Sequence, residues 1–164
     1  MKNSLIIIFI LILIFRISTV VAQQTVGIRG GGLCNISYRS FVDTDQAVEI
    51  SLNDRYNGFH ITMLSMKFKP LSIPWAEDVK LYTGFGAHAG FASSGRYDDY
   101  YDVHGDNRWG PLAGADFIIG AEYQFNSLPI IVGVDYNPFA EFSVARTFSL
   151  NAWNFGATVR YCIN

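Results

Sequence analysis

The stretch LYTGFGAHAGF, residues 81–91, decides how the rest of the chain is read. Leu81, Thr83, Phe85, Ala87, Ala89 and Phe91 alternate with Tyr82, Gly84, Gly86, His88 and Gly90. A strict period of two marks a β-strand with two different faces. One face is apolar. The other holds three glycines and an ionisable ring, which suits neither water nor an ordinary core.

Working outward, no stretch beyond residue 22 keeps a 3.6-residue period, whereas segments of period two recur between turn residues. Thr25 to Arg39 sets Val26, Ile28, Ile36 and Tyr38 against Arg29, Asn35, Ser37 and Arg39, with a bend or bulge expected at Gly30-Gly31-Gly32. Ala47 to Leu52 follows, then a turn ending in Asn57-Gly58, a hairpin signal. Further strands are expected at Phe59 to Lys69, Val79 to Phe91, Ala113 to Phe125, Ile130 to about Phe142, and Trp153 to Ile163. Pro70 and Pro74 close the first of these, and Ala92 to Pro111 forms a polar loop. That makes seven strands. Single-chain bacterial membrane barrels have an even number, so one strand is hidden. The favoured place is Ile130 to Asn151, divided at Pro138, with Val144 to Leu150 as a strand of its own; the other candidate is the first segment, divided at its glycines.

The facing follows from composition. A soluble sandwich or lipocalin-like barrel turns its apolar face inward and a Lys-, Glu- and Thr-rich face to water. Here the polar face mixes glycine with single charges of both signs: Arg29, Glu49, His60, Lys80, His88, Asp116, Glu122, Asp135, Glu141 and Arg160. The apolar face carries aliphatics, with aromatics near strand ends at Phe59, Phe91, Phe125, Tyr136 and Tyr161. Aromatic girdles around an apolar band characterise membrane barrels, and small interior residues suit a narrow lumen. The expected fold is all-β: an antiparallel up-and-down transmembrane β-barrel of eight strands. The ten ionisable residues are expected to form a structural polar network in its lumen, because an unpaired buried charge is costly.

The first 22 residues stand apart. Lys2, an apolar run from Leu5 to Phe15, and small residues at Val20 and Ala22 have the layout of a cleaved secretory signal. The run is too short for a membrane span of about 20 residues. Residues 23–164 then form one barrel domain. Losing Lys2 and Arg16 leaves ten basic against fourteen acidic residues, a net charge of −4, which excludes the basic stripe of a nucleic-acid binder. Cys34 and Cys162 travel an export route where disulfides form. But Cys162 ends its strand and Cys34 lies inside the first, so two free, buried thiols are expected.

No chemical motif stands out. Ser93 and Ser94 follow His88 at no useful spacing for a nucleophile and base, and His104 and Asp106 read as part of a solvated loop. Asp98, Asp102 and Asp106 do not follow the spacing of a calcium loop. Neither catalysis, nor a cofactor, nor a bound metal is expected.

Five blocks carry a resemblance: VGIRGGGLCNISYRSF, QAVEISLNDRYNGFHITML, LYTGFGAHAGF, GADFIIGAEYQFNSLPIIVGVDYNPF and GATVRYCIN. In order and over nearly all of residues 23–164, they resemble a family of small outer-membrane β-barrel proteins of Bacteroidota, of the OmpA-like and OmpX-like eight-stranded type. The most telling are GFGAHAGF around His88, and the fourth block with Glu122, Pro129, Asp135 and Pro138. The resemblance implies a cell outer-membrane location and a structural or surface-interaction role. Its implied partners are outer-membrane lipid and lipopolysaccharide, and the barrel-assembly machinery during insertion. The ending Tyr161-Cys162-Ile163-Asn164 departs from the aromatic last residue common in such barrels. Two other functions compete: a lipid-modifying barrel enzyme, which needs His88 or His104 beside Ser or Asp at a lipid-accessible opening, and a secreted soluble barrel with Phe and Val lining an apolar ligand site.

Overall fold

The computed structural model describes residues 23–55, 58–71, 78–93, 109–143 and 148–163. Ten strand segments follow in order: β1 Gln24–Gly31, β2 Asn35–Phe41, β3 Gln46–Arg55, β4 Gly58–Pro70, β5 Val79–Ser93, β6 Trp109–Gln124, β7 Ile130–Tyr136, β8 Phe139–Ser143, β9 Ser149–Asn151 and β10 Phe155–Ile163. All pairings are antiparallel, and β5 closes on β6, so the sheet has no free edge among its main strands. Closure removes the exposed edge that an open sheet must otherwise protect.

The ten segments make eight staves. Both β7 and β8 lie against β6, and β9 and β10 lie against β8 and β7 in turn. Each pair is therefore one stave interrupted once, at Asn137-Pro138 and at residues 152–154. Proline cannot donate to a ladder, which accounts for the first interruption. Asn154 repairs the gap: its side chain donates to the Asn137 carbonyl at 2.9 Å, and the Asn137 amide donates to the Asn154 carbonyl at 2.8 Å.

The hidden strand is at the glycines, not at Pro138. β1 and β2 are separate staves paired through Arg29 and Asn35, and Gly31 takes a positive φ of 141° to turn between them. A side chain at Gly31 would also strike the Phe155 carbonyl. Val144, proposed above to open a strand of its own, lies outside the described residues, and β9 is part of the last stave. The signal segment, Pro74, and Ser94, Asp98, His104 and Asp106 of the long loop are also outside them.

The two thiols are free, but Cys34 is exposed, not buried. Cys34 adjoins the β1–β2 turn at one end of the barrel, whereas Cys162 pairs with Thr25 at the other. Six residues of strand separate these levels, roughly 20 Å, and a disulfide needs Cα atoms within about 7 Å.

The wall is apolar outside and polar inside. Leu81, Phe85 and Phe91 of the opening stretch are exposed, Phe85 at 72%, as are Ile28, Ile36, Leu52, Met63, Val134, Phe155 and Val159. Tyr82, Gly84 and His88 point inward. The glycines of β5 answer the puzzle of its second face. A Cβ at Gly86 would strike the Met63 carbonyl, and one at Gly90 the Phe59 carbonyl, so β5 and β4 approach too closely there for a side chain. An apolar cluster of Phe41, Leu64, Met66, Phe68, Tyr82 and Ile118 fills part of the interior.

Candidate functional site: the charged lumen

Alternation along each strand delivers one polar side chain to the interior every second residue, and antiparallel register sets which ones meet. Arg39 on β2 faces Glu49 on β3. Arg39 is 1% exposed and is the hub of the interior. Its Nε donates to Glu49 Oε2 at 2.9 Å and its Nη1 to Glu122 Oε2 at 2.7 Å. Its guanidinium also lies 5.0 Å from the Phe68 ring centre and 5.5 Å from that of Tyr82, within the reach of a cation–π contact. Glu49 Oε2 accepts a second bond, 2.8 Å from Arg160 Nη2. One chain of charge-assisted bonds thus runs Glu122–Arg39–Glu49–Arg160 across the lumen.

A second group lies towards the β1–β2 turn. Arg29 Nε donates to Asp135 Oδ1 at 2.8 Å, and Arg29 Nη1 donates to the Leu33 carbonyl at 2.9 Å and to Asn154 Oδ1 at 3.1 Å. Gly156 clears the space for this guanidinium, since a Cβ there would overlap it. The fork of Arg thereby joins three staves at the level where the last one is interrupted.

The third group belongs to β4, β5, β6, β8 and β9. His88 Nδ1 lies 2.6 Å from Asp116 Oδ2, and His88 Nε2 lies 3.5 Å from Glu141 Oε2. Ser149 Oγ donates to Glu141 Oε1 at 2.9 Å. The ring of His60 stands 4.9 Å from that of His88, centre to centre, and Phe139 meets His88 edge-on at 5.5 Å. Gly114 makes the room: a Cβ there would fall 2.5 Å from His88 Cε1.

Nine of the ten residues expected on the polar face are buried inside the barrel. The tenth, Lys80, is half-buried near the chain-terminal end, opposite Glu122 in register. Glu122 turns to Arg39 instead, and His88 meets Asp116 and Glu141. Arg39, Asn53, Tyr82 and Asn154 are buried participants absent from that expected set. Asn53 donates to Ser51 Oγ at 3.1 Å and to Thr62 Oγ1 at 3.0 Å. Arg39 already shared the polar phase of Arg29 and Ser37, which was signal enough to include it.

An imidazole held by a carboxylate is half of a general-base arrangement. The other nitrogen of His88, however, faces a second carboxylate and not a hydroxyl. Among the described residues, no group of three or more His, Cys, Asp or Glu side chains is arranged to hold a metal ion.

The fold defines a closed, eight-stranded antiparallel β-barrel with an inverted polarity: apolar outside, ion-paired inside. The structure is similar to the crystal structure of the N-terminal β-barrel domain of Pseudomonas aeruginosa OprF, with a TM-score of 0.56 and 12% identity, covering 87% of this chain and 96% of that one. That likeness is one of fold. The sequence matches no family profile, and no curated protein matches it.

Proposed function

We propose that the protein is an integral barrel of the cell outer membrane, with a side-chain-filled lumen and a structural or surface-interaction role. The observation that carries this reading is the polarity of the wall. A belt of Val, Ile, Leu, Met and Phe on every stave is exposed, while Arg, Glu, Asp and His are sealed inside. In water that arrangement leaves the apolar belt unburied and pays to desolvate the interior charges; in a bilayer the belt matches the lipid, and the charges, paired with one another, are kept out of it. A soluble barrel with an apolar ligand site requires the opposite facing.

Eight staves enclose a space just wide enough for side chains, and here Arg39, Tyr82, Phe68 and Met66 occupy it, so the reading includes no wide pore. It includes no catalysis either: the imidazole of His88 faces two carboxylates and not a hydroxyl. Outer-membrane lipid and lipopolysaccharide are the partners of the wall, the assembly machinery acts during insertion, and residues 1–22 are the export signal. Kinship with the small barrels of Bacteroidota, on the five sequence blocks, belongs to the same proposal.

The test is folding of residues 23–164 into phospholipid vesicles. The expected result is an unheated band of altered gel mobility that reverts on boiling, with the barrel protected from added protease. Failure to insert, with a folded protein left in the aqueous phase, rejects the membrane reading.

A further inference from the structure

Between the Arg29 group and the Arg39 chain lies a small polar cavity, with Arg29, Asn35, Tyr82, Asp135, Thr158 and Arg160 among its lining. Its water-accessible volume is about 20 Å³, room for one water, which needs roughly 10–15 Å³. Three of its lining side chains carry buried polar atoms without a protein hydrogen-bond partner: Arg160 Nε and Nη1, Asp135 Oδ2, and Asn35 Oδ1. Arg160 and Asp135 are both more than nine-tenths buried, so bulk solvent does not satisfy them. Buried polar groups are almost always paired.

The chemistry of these atoms selects the ligand. Arg160 offers only donors, whereas Asp135 Oδ2 and Asn35 Oδ1 are only acceptors. A halide would satisfy Arg160 while facing a carboxylate. A cation would satisfy Asp135 while facing a guanidinium. Only a small neutral molecule that both donates and accepts suits all three.

We propose that this cavity is a structural water site. Its water accepts from Arg160 and donates to Asp135 Oδ2 and Asn35 Oδ1. The site joins the Arg29–Asp135 pair to the Arg160–Glu49–Arg39–Glu122 chain, making one network from two. Leu64, Ile118 and Tyr82 line it on the side of the apolar cluster. The inference rests on the barrel interior alone and holds whatever surrounds the wall.

The experiment is a crystal structure of residues 23–164 at 2 Å or better, grown in bromide, with anomalous data. The expected result is a water peak within about 2.7–3.2 Å of both Arg160 and Asp135, with no bromide signal there. A bromide peak makes the site an anion site and overturns the proposal. Direct Arg160–Asp135 contact, or a cavity without density, overturns it too. Solution NMR of the folded barrel supplies a second reading: protons of the lining residues Thr158 and Asn35 should cross-relax with a long-lived bound water, and the lack of such a signal overturns the site.

Discussion

Val159 lies at the centre of β10, the nine-residue segment from Phe155 to Ile163, and its side chain points outward. Its neighbours in register are Ile28 on β1 and Val132 on β7, with Ala157 and Tyr161 on its own strand's outer face. No polar side chain of these neighbours offers a new guanidinium a partner other than the Tyr161 hydroxyl. On a membrane barrel, Val159→Arg places charge near the bilayer midplane at about 2–4 kcal/mol. At 1.36 kcal/mol per tenfold, that is roughly a 30- to 900-fold loss in the folding equilibrium. Gln46→Arg, at the outward edge of β3 near the chain-terminal end, should cost only about 0–1 kcal/mol. The assay is urea-driven unfolding from phospholipid vesicles, followed by heat-modifiable gel mobility. If Val159→Arg stays within about 0.5 kcal/mol of the parent, as surface changes in water usually do, the outer wall does not face lipid and the reasoning fails.

Three further outcomes follow from the interior. Arg39→Met strands Glu122 and halves the support of Glu49, so it should destabilise the barrel by about 3–5 kcal/mol. Adding Glu122→Gln should restore part of that loss, and a fully stable Arg39→Met protein would remove Arg39 from the hub. Gly114→Ala should cost about 1–3 kcal/mol by overpacking, because its Cβ meets the Ala140 carbonyl and the His88 ring. Gly30→Ala, where nothing lies within 4 Å, should stay within about 0.5 kcal/mol; equal effects in urea titrations would refute the packing argument. A maleimide should label Cys34 in the folded protein and reach Cys162 only after unfolding, read by mass spectrometry, and labelling of both at equal rates would contradict their placement.

The two faces were legible because period two survives any number of reversals. Arg29 and Asn35 pair across the β1–β2 turn at an even separation. The alternation therefore runs straight through Gly30-Gly31-Gly32 and reads as one strand when there are two. Only the positive φ of Gly31 marks the reversal, and dihedrals cannot be read from a glycine triplet. At Pro138 the opposite happens: a strong breaker interrupts the ladder, yet Asp135 and Phe139 keep the same facing and the stave resumes. Inward charges were legible as a set, but partners were not. Glu122 faces Lys80 in register, and its carboxylate nevertheless crosses the lumen to Arg39. A narrow barrel brings opposite staves within side-chain reach, and sequence spacing does not encode that. The role of Gly114 and Gly156 likewise emerges only once the ring of His88 and the guanidinium of Arg29 are in place.

Cell fractionation tests the central claim most directly. Membranes of the expressing bacterium are separated by density, washed with carbonate, and probed for the mature chain with and without boiling. The account predicts a carbonate-resistant, heat-modifiable band in the outer-membrane fraction. A mature chain recovered in the soluble periplasmic or secreted fraction, folded and free of detergent, would contradict it.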